Sequence, residues 1–528
     1  MQTNVHLKDG GDMVSKIKSM GIFGMQSFMV DVEADVTGGK FRFDMVGLPD
    51  TAVSEARERV QAAIRNSGYS FSYGHITVNL APADIRKEGS TYDLPIFIAL
   101  LLSARQISFD HSGCAFIGEL SLSGEVKRVN GVLPMVIEAK NAGIKRVFVP
   151  KENANEAAVV SDIDIYPVEN VCQLLDFLLE KPNPEKPLTK IENFVFEKNK
   201  TENYLLDFAD VKGQHNAKRA LEIAAAGGHN FLMIGPPGSG KSMLAKRIPS
   251  ILPDMTFEES LETTKIYSVA GALKDGGGLI STRPFRSPHH TISAAGLSGG
   301  GAVPKPGELS MAHNGVLFLD EMPEFTRISM EVMRQPIEDG KITIARVAGT
   351  LTFPCSVMLV CAMNPCPCGF LGHPTKQCTC SPAMAQRYLS KVSGPLLDRI
   401  DIQVEVPPVE FSDLAAREQK EETSAEIKVR VDKAREKQSR RFAGTSVTCN
   451  AKMPANMVRE YCVMDESATA VLKKIFDKLG LSARAYDKIL KVARTIADLE
   501  DSEIITAVHI SEAIRYRNLD RKTYTNLG

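Results

Sequence analysis

The residues with the clearest chemical potential form one short loop, whose sequence GPPGSGKS matches the phosphate-binding pattern G-x-x-x-x-G-K-[ST]. An apolar stretch that predicts a buried strand (230–234) precedes it, and a stretch that predicts a helix start (243–247) follows it. Glycines let backbone N–H groups turn inward around phosphates, and the helix N-terminus adds positive potential. A chance Gly-Pro turn is the alternative. The predicted ATP-binding residues are Gly235, Pro236, Pro237, Gly238, Ser239, Gly240, Lys241 and Ser242.

Within this loop, two side chains have separate predicted roles. Lys241 is expected to reach the β- and γ-phosphates, and Ser242 is expected to ligate Mg²⁺. A second motif is the apolar run 316–319, which ends in two carboxylates as in the Walker B motif. Asp320 would hold Mg²⁺ through water, and Glu321 would act as general base on the attacking water. Many strands end in acidic residues, so the motif gains its weight from the phosphate loop that precedes it.

Two segments in the same region resemble parts of AAA+ ATPases. Residues 206–214 are similar to the segment that opens the AAA+ domain and packs near the adenine. Asn364 follows the apolar run 357–363 and stands where these proteins carry sensor 1, which orients the lytic water against the γ-phosphate. A turn-forming Asn before Pro365 is the alternative interpretation.

Two arginines are implicated by the same resemblance. The segment 396–401 resembles the arginine-finger segment of the Mg-chelatase and MCM branch of AAA+ proteins. Arg399 would then project into the site of a neighbouring subunit, which requires an oligomer, and a closed ring satisfies that requirement for every subunit. An intramolecular pair with Asp398 or Asp401 is the alternative. Arg484 lies in a segment that resembles sensor 2 and would reach a γ-phosphate, whereas a plain surface arginine is the alternative.

Two inserts suggest what such a motor acts on. The segment 283–290, followed by the glycines at 296–301, looks like the helix-2 insert of the same branch, and the alternating segment 341–353 predicts a β-hairpin. In ring helicases hairpins of this kind line the pore and contact the DNA backbone. The candidate phosphate contacts are Lys341, Arg346, Arg283 and Arg286. An edge hairpin with solvated charges is the alternative.

Four of the ten cysteines form a dense group, Cys366, Cys368, Cys378 and Cys380. Four thiolates can bind Zn²⁺ tetrahedrally in a reducing compartment, although C-x-C is tighter than the usual spacing, and free thiols are the alternative. His373 lies between the two pairs and is expected to be a loop residue rather than a ligand. This distribution is unlike a secreted disulfide scaffold and predicts a cytoplasmic protein.

The N-terminal region alternates strands and helices and therefore predicts a mixed α/β fold. It resembles the S5-like fold of the Lon protease domain in the segments 118–124 and 143–147. Ser90 and Thr91 lie near the position of the Lon serine, but the segment 130–135, where the catalytic lysine belongs, contains no lysine. A serine nucleophile needs a neighbouring base, so we expect a non-proteolytic scaffold.

Length and composition set the frame for these motifs. The 528 residues are too many for one core, the formal net charge is −1, and no run of about 20 apolar residues predicts a membrane span. We expect a Lon-like S5-fold domain at 1–180, a Pro-rich linker at 181–204, an AAA+ motor at 205–410 and a C-terminal helical lid at 411–528. The fold class expected is α/β, a P-loop ATPase with an N-terminal α+β domain.

Taken together, the chain resembles the Mg-chelatase-like AAA+ ATPases of the ComM or YifB family over residues 19–522. This resemblance implies a hexameric ATPase that acts on single-stranded or branched DNA as a helicase or branch-migration motor, in homologous recombination or natural transformation, with recombination proteins as partners. Two alternatives remain open. One is a metal-insertion chaperone of the Mg-chelatase type that remodels a protein partner, and the other is an ATP-dependent protease, against which the missing lysine argues.

Overall fold

The computed structural model describes residues 14–71, 74–181, 183–192, 194, 196, 206–274, 276–301, 304–346, 349–409, 421–479 and 481–517. The chain divides into two compact units. One comprises Met1–Glu197 with Ser260–Ile280, and the other comprises Lys198–Glu259 with Ser281–Gly528. Within the described ranges, no helix is both long enough and apolar enough to cross a membrane.

The first unit is built on a mixed sheet. Its strands are β1 (Ser15–Phe23), β2 (Gln26–Thr37), β3 (Arg42–Val46), β4 (His75–Ala81), β5 (Cys114–Phe116), β6 (Glu119–Leu120), β7 (Val126–Lys127), β8 (Arg146–Pro150) and β9 (Asp164–Val168). Seven of them form one sheet in the order β3-β4-β2-β1-β5-β8-β9, and β6 and β7 form a separate pair. Strand β2 runs antiparallel to both β1 and β4. On the other side of β1, the neighbouring pairs β1–β5, β5–β8 and β8–β9 are parallel.

Helices cover this sheet and complete its core. They are α1 (Thr51–Ser54), α2 (Ala56–Asn66), α3 (Asp93–Ser103), α4 (Val132–Asn141), α5 (Ala154–Ala157) and α6 (Val171–Leu178), with a 3₁₀ turn at Lys151–Asn153. Helix α3 is apolar on nearly all sides because it lies at the centre of this core, where it is buried from Asp93 to Leu101. The alternating sequence of β4 buries Ile76, Val78 and Leu80 and exposes the residues between them more fully, as a strand with one covered face requires.

The segment Ser260–Ile280 belongs to the first unit, although in sequence it lies between the two nucleotide motifs. The Ser268 hydroxyl donates to the buried Glu156 carboxylate at 2.5 Å, and the Ser268 carbonyl accepts from Gly131 N at 3.0 Å. Arg128 donates to the Leu273 carbonyl at 2.7 Å. Burial raises the pKa of Glu156, although the hydrogen bond from Ser268 and the charge of Arg128 oppose that shift. Hydrogen bonding to a buried carboxyl therefore fixes this segment to the first unit.

The second unit contains a parallel sheet and a hairpin. Its strands are β10 (Phe231–Ile234), β11 (Phe285–Arg286), β12 (Val316–Leu319), β13 (Lys341–Arg346), β14 (Gly349–Pro354), β15 (Met358–Met363) and β16 (Ile402–Glu405). Five of them form a sheet in the order β11-β12-β15-β10-β16, in which all neighbours are parallel. The hairpin predicted at 341–353 is confirmed as the antiparallel pair β13 and β14.

The helices of this part of the chain are α7 (His215–Gly227), α8 (Lys241–Ala245), α9 (Phe257–Ala270, which belongs to the first unit from Ser260 onward), α10 (Ala294–Ser298), α11 (Glu308–Met311), α12 (Arg327–Glu331), α13 (Arg334–Asp339), α14 (Pro382–Leu389), α15 (Gly394–Leu397), α16 (Ser424–Arg441), α17 (Ala455–Tyr461), α18 (Glu466–Leu479), α19 (Ala483–Leu499) and α20 (Ala507–Arg515). Short 3₁₀ turns occur at Phe208–Asp210, Ile248–Ile251, Met322–Glu324 and Asn450–Lys452. The sheet and the C-terminal helices α16 to α20 contribute to one continuous hydrophobic core.

A buried ionic cluster holds the C-terminal helices together. The Asp498 carboxylate is almost completely buried and accepts from Arg494 at 3.1 Å, from Arg441 at 2.5 and 2.8 Å, and from Asn450 at 2.8 Å. Three separate elements therefore converge on one carboxylate. Removal of one member of a buried ion pair leaves an uncompensated charge in a low-dielectric interior.

We therefore expect Asp498→Ala to destabilise the second unit by about 3–5 kcal/mol. The measurement is urea unfolding followed by circular dichroism. Asp501→Ala is the matched control, since Asp501 pairs with Lys437 but its side chain is 89% exposed, and its loss should cost at most about 1 kcal/mol. Equal unfolding midpoints for the two variants would contradict the structural role given to Asp498.

Candidate nucleotide site

Three of the predicted nucleotide-binding segments begin where neighbouring parallel strands end. The phosphate loop follows β10 directly, Asp320 follows β12, and Asn364 follows β15. These three strands are adjacent in the sheet. Because the carboxyl ends of parallel strands lie on one edge, their following residues converge there, and this edge is where α/β sheets bind ligands.

Close backbone approach explains two glycines of the phosphate loop. A Cβ atom at Gly235 would lie 2.1 Å from the Val406 carbonyl oxygen, so no larger residue fits there. Gly240 has φ +92° and caps the N-terminus of α8, in the region of backbone space that favours glycine. The loop thus turns sharply from β10 into α8, and its backbone N–H groups are available at a helix start.

The Lys241 side chain is folded into the loop. Its ammonium donates to the carbonyls of Gly235 and Pro236, both at 2.8 Å, and to Asn364 Oδ1 at 3.3 Å. Burial lowers the pKa of Lys241, whereas the charges of Asp320 and Glu321 oppose that shift. The contact with Asn364 places the expected phosphate-binding lysine beside the expected water-orienting amide.

The next two predicted residues meet directly. Ser242 Oγ donates to Asp320 Oδ2 at 2.6 Å, so that a hydroxyl and a carboxylate converge at one point. Oxygen ligands of this kind are the ones that Mg²⁺ prefers. The chemistry and the convergence of these two groups therefore fit a site for Mg²⁺ with a nucleotide.

Glu321 is held in an unusual backbone conformation beside them. Its φ is +51°, in the left-handed region, and its amide donates to Asp320 Oδ1 at 3.0 Å. Non-glycine residues in this region cost free energy and cluster at functional sites. The Glu321 side chain is 58% exposed, and its Oε2 lies 3.7 Å from His290 Nδ1. An exposed carboxylate next to the Mg²⁺ candidates is placed to accept a proton from water.

A cleft of about 470 Å³ opens beside Glu321 and Asn364. The other residues that line it are Glu324, Pro367, Met384, Arg387, Tyr388 and Lys391. Burial, followed by the charges of Glu324 and Glu321, raises the pKa of Tyr388 to about 12. No sequence motif marks the cleft residues of α14 and its C-terminal flank, because only the fold brings them to the sheet edge.

Arg399 is bound within its own chain. Its Nε donates to the Arg334 carbonyl at 2.9 Å, its Nη1 donates to the Pro395 carbonyl at 2.6 Å, and its Nη2 pairs with Glu338. The alternative interpretation at the sequence level was a pair with Asp398 or Asp401. The structure shows an intramolecular ion pair, but its partner is Glu338, a residue of α13.

The structure does not bring Arg484 to the phosphate loop. Arg484 lies exposed in the first turn of α19, and in the described part of the chain its guanidinium makes no hydrogen bond to the loop. Ser482 caps this helix by accepting from Ala485 N at 3.2 Å. The predicted role of Arg484 as sensor 2 stays a prediction, and its test requires bound nucleotide or a neighbouring subunit.

The four candidate DNA contacts differ in their surroundings. Lys341 is exposed at the start of β13, whereas the side chain of Arg346 lies outside the described residues. Arg283 donates to the Pro253 carbonyl at 2.6 Å and to Glu259 at 2.8 Å, and Arg286 forms two 2.7 Å bonds to Glu308. The two arginines therefore already have protein partners, and Lys341 faces solvent.

The four clustered cysteines come together in space. Their sulfur atoms all lie within 4.8 Å of one another, with separations of 3.4 Å for Cys366–Cys368, 3.8 Å for Cys366–Cys378 and 3.6 Å for Cys368–Cys378. Four sulfurs at the usual Zn–S distance of about 2.3 Å would be separated by roughly 3.8 Å at tetrahedral angles. The donor set and its spacing thus fit a tetrahedral metal.

The loop that carries these cysteines also contacts the phosphate loop. A Cβ atom at Gly369 would lie 2.5 Å from Pro237 Cδ, so the two loops are in close contact. His373 is turned to its own loop, since its Nδ1 accepts from Thr375 N at 3.1 Å and from Lys376 N at 3.0 Å. His373 is therefore engaged as a loop residue.

In the first unit, the residues that resemble a Lon site form no serine–lysine pair among the described residues. The Ser90 hydroxyl donates to the Glu119 carboxylate, and the buried Lys87 ammonium donates to the Pro82 carbonyl. Among the described residues, no lysine is hydrogen-bonded to Ser90 or Thr91. This arrangement offers no lysine to activate the serine.

Comparison with known families agrees with this fold and site. Residues 207–414 match the family described as magnesium chelatase, subunit ChlI, residues 32–153 match subunit ChlI of Mg-chelatase, and residues 421–517 match the C-terminal part of subunit ChlI. The parallel sheet, the phosphate loop and the two following motifs therefore define an AAA+ ATPase of the Mg-chelatase type.

Three relatives narrow this class. The uncharacterized protein YifB of Escherichia coli K12 is 41% identical over 514 residues, which cover 96% of this chain and 98% of YifB. The competence protein ComM of Haemophilus influenzae is 41% identical over 509 residues, 96% of this chain and 97% of ComM. An archaeal Lon protease of Thermococcus kodakarensis is 29% identical over 190 residues, 34% of this chain and 30% of that protease. The chain belongs to the YifB/ComM family of Mg-chelatase-like AAA+ ATPases.

Proposed function

We propose that this protein is a ring-forming ATPase that couples ATP hydrolysis to the remodelling of DNA, as a helicase or branch-migration motor in recombination or natural transformation. The observation that carries the proposal is the convergence of Lys241, Ser242, Asp320, Glu321 and Asn364 at one sheet edge. The similarity to a competence protein supports DNA as the substrate. With DNA as its substrate, the protein is proposed to act in the cytoplasm.

Each side chain of the site has one role in the proposed reaction. Lys241 binds the β- and γ-phosphates, and Ser242 and Asp320 hold Mg²⁺, which neutralises phosphate charge when it is bound. Glu321 accepts a proton from the attacking water, and Asn364 orients that water against the γ-phosphate. In-line attack then needs only positioning and charge stabilisation, because phosphoryl transfer requires little covalent chemistry from the protein.

Arg399 supplies the remaining positive charge to a neighbouring subunit in this proposal. An arginine that acts on the transferred phosphoryl group contributes about 10³- to 10⁵-fold to turnover. Since such an arginine acts in trans, every site requires a neighbour, and a closed ring provides one. A hexamer is the ring that the family resemblance implies. Arg484 is proposed to add a further contact to the γ-phosphate once subunits assemble.

The hairpin of β13 and β14 is the proposed DNA contact. Its residues alternate, with Ile342 and Ile344 buried while Lys341 and Thr343 face solvent. An exposed cation on the solvent face of a hairpin can contact a phosphate without losing a protein partner. Arg283 and Arg286 would first have to leave Glu259 and Glu308, so their contribution to DNA binding is proposed to be smaller than that of Lys341.

A second candidate function is the remodelling of a protein partner. The three ChlI matches, which together cover most of the chain, favour this alternative because ChlI is a magnesium chelatase subunit. An ATP-dependent protease is a weaker alternative, since Ser90 lacks a lysine partner. The DNA experiment below separates the first alternative from the main proposal.

Substitutions in the site test the proposed hydrolysis. Lys241→Ala should abolish ATP binding, because the main phosphate contact is lost. Glu321→Gln should bind ATP and Mg²⁺ but turn over at least about 100-fold more slowly, as expected when a general base is removed. Nucleotide binding is measured by calorimetry and hydrolysis by phosphate release. Glu324→Gln is the control, since Glu324 lines the same cleft but pairs with Lys391. Normal hydrolysis by Glu321→Gln would refute the site assignment.

Branched DNA should stimulate the ATPase and be processed by it. We expect migration of a labelled three-way junction in the presence of ATP, and its loss in Glu321→Gln. Lys341→Ala should weaken DNA binding and reduce its salt dependence by about one phosphate contact, with Lys305→Ala as a control at another surface cation. No stimulation and no migration would favour remodelling of a protein partner.

We also propose that Cys366, Cys368, Cys378 and Cys380 bind one structural Zn²⁺. The sulfur separations support this assignment, and the contact of Gly369 with Pro237 places the bound loop against the phosphate loop. Metal binding would then stabilise the wall of the nucleotide site, because structural zinc contributes to folding.

Metal analysis of the purified protein should give about one zinc per chain. Cys378→Ser should lower the zinc content and the thermal unfolding midpoint, since one of four ligands is lost. Cys172→Ser is the control, because Cys172 is exposed and lies outside the cluster. The zinc proposal would be contradicted if the protein kept its full thermal stability without zinc and the four cysteines of the cluster titrated as free thiols.

A further inference from the structure

The environment of Arg399 conflicts with the role proposed for it. Its Nε, Nη1 and Nη2 all have acceptors in the same chain, and its side chain is only 15% exposed. A guanidinium that acts on the nucleotide of a neighbouring subunit needs donors that are free to leave the surface. The conformation in this structure therefore corresponds to a withdrawn arginine.

Two of the three acceptors belong to one short helix, α13. The Arg334 carbonyl accepts from Nε at 2.9 Å, and the Glu338 carboxylate pairs with Nη2. The third acceptor, the Pro395 carbonyl, is four residues from Arg399 and would move with it. Only Glu338 contributes a charge to the contact, and its side chain is 54% exposed. Glu338, which lies on α13, is thus the charged residue that keeps Arg399 in this conformation.

Helix α13 is joined directly to the hairpin proposed to contact DNA. Gly340, with φ +67°, is the single residue between α13 and β13. Cys355 directly follows β14 and closes this junction at the base of the hairpin. Its N–H donates to the Gly340 carbonyl at 2.8 Å, and its thiol contacts the Pro336 carbonyl at 3.4 Å. The base of the hairpin and α13 therefore form one block, and a displacement of the hairpin displaces Glu338.

We propose that Glu338 is a positioning residue for Arg399. It retains the guanidinium in the withdrawn conformation, and a load on the hairpin moves α13 and releases the arginine toward the neighbouring subunit. This inference rests on the proposed function, because it takes Arg399 as the residue that acts in trans. It identifies α13 as the connection between substrate contact and hydrolysis.

The test compares Glu338→Gln with Asp339→Asn, its neighbour on α13, whose carboxylate accepts from Gln335 at 3.0 Å and not from Arg399. Glu338→Gln should raise the DNA-free kcat by about two- to fivefold, the factor that a half-exposed ion pair contributes, with KM for ATP unchanged. Stimulation by a forked DNA duplex should fall by the same factor. Asp339→Asn should behave as the unaltered protein.

Two further variants complete the experiment. Glu338→Asp, which keeps the charge, should restore a low DNA-free kcat, and Glu338→Gln combined with Arg399→Ala should be as inactive as Arg399→Ala alone. A DNA-free kcat for Glu338→Gln that is equal to or below that of the unaltered protein overturns the inference, while the proposed function stands. Undiminished hydrolysis by Arg399→Ala instead removes the proposed role of Arg399 in trans.

Discussion

One buried carboxylate, that of Asp401, ties together the parts of the second unit that the nucleotide site needs. It accepts from Asn230 N at 3.1 Å, at the start of β10, and from Lys488 on α19 at 3.0 Å, and it faces His229 Nδ1 at 3.4 Å. Burial alone would raise the pKa of Asp401, but Lys488 and His229 outweigh it and hold this pKa well below its usual range. Asp401 is therefore ionised and satisfied, and it fixes the loop that carries Arg399.

This buried network and the contact of Arg399 with Glu338 differ in strength. A buried ion pair that loses one partner costs about 3–5 kcal/mol, so the backbone around Asp401 is a rigid frame. The Glu338 side chain is 54% exposed, and an ion pair with an exposed partner contributes about 0–1 kcal/mol, so the contact with Glu338 is the weaker of the two. Asn230 strengthens the frame, since its side chain donates to the Arg399 carbonyl at 2.9 Å and accepts from Leu359 N at 2.9 Å. The backbone that carries Arg399 is thus fixed, whereas its ion pair with Glu338 is weak, as the role proposed for Arg399 requires.

The fold and the centre of the site could be predicted from the sequence because their signals are local. An apolar strand followed by a glycine loop, and two further apolar strands followed by Asp320 and Asn364, place these residues at one edge once the strands are parallel neighbours. The same holds for the hairpin predicted at 341–353 and for helices α16 to α20, which lie in the region predicted as a C-terminal helical lid. The periodicity of their side chains is sufficient to identify them.

Other features depend on contacts between distant residues, and no local pattern marks them. Ser268 lies between two nucleotide motifs in sequence, yet its segment is part of the first unit because it contacts Glu156, 112 residues away. Glu338 is 61 residues from Arg399, whereas the acids considered from the sequence, Asp398 and Asp401, lie within two residues of Arg399. Sequence proximity favours the nearest opposite charge, but Asp401 is already engaged by Lys488.

The charged residues of the two inserts illustrate the same limit and its functional consequence. The sequence alone does not distinguish Arg283, Arg286 and Lys341, because each is a cation in a segment expected near the pore. In the structure the arginines hold Glu259 and Glu308, and so stabilise the second unit, whereas Lys341 stands at the junction of α13 and β13. A phosphate bound at Lys341 would therefore act on the first residue of the hairpin, one residue away from the glycine that ends α13. The two arginines are therefore held by ion pairs within the second unit, whereas Lys341 is exposed next to the helix that carries Glu338, which is the position that the proposed release of Arg399 requires.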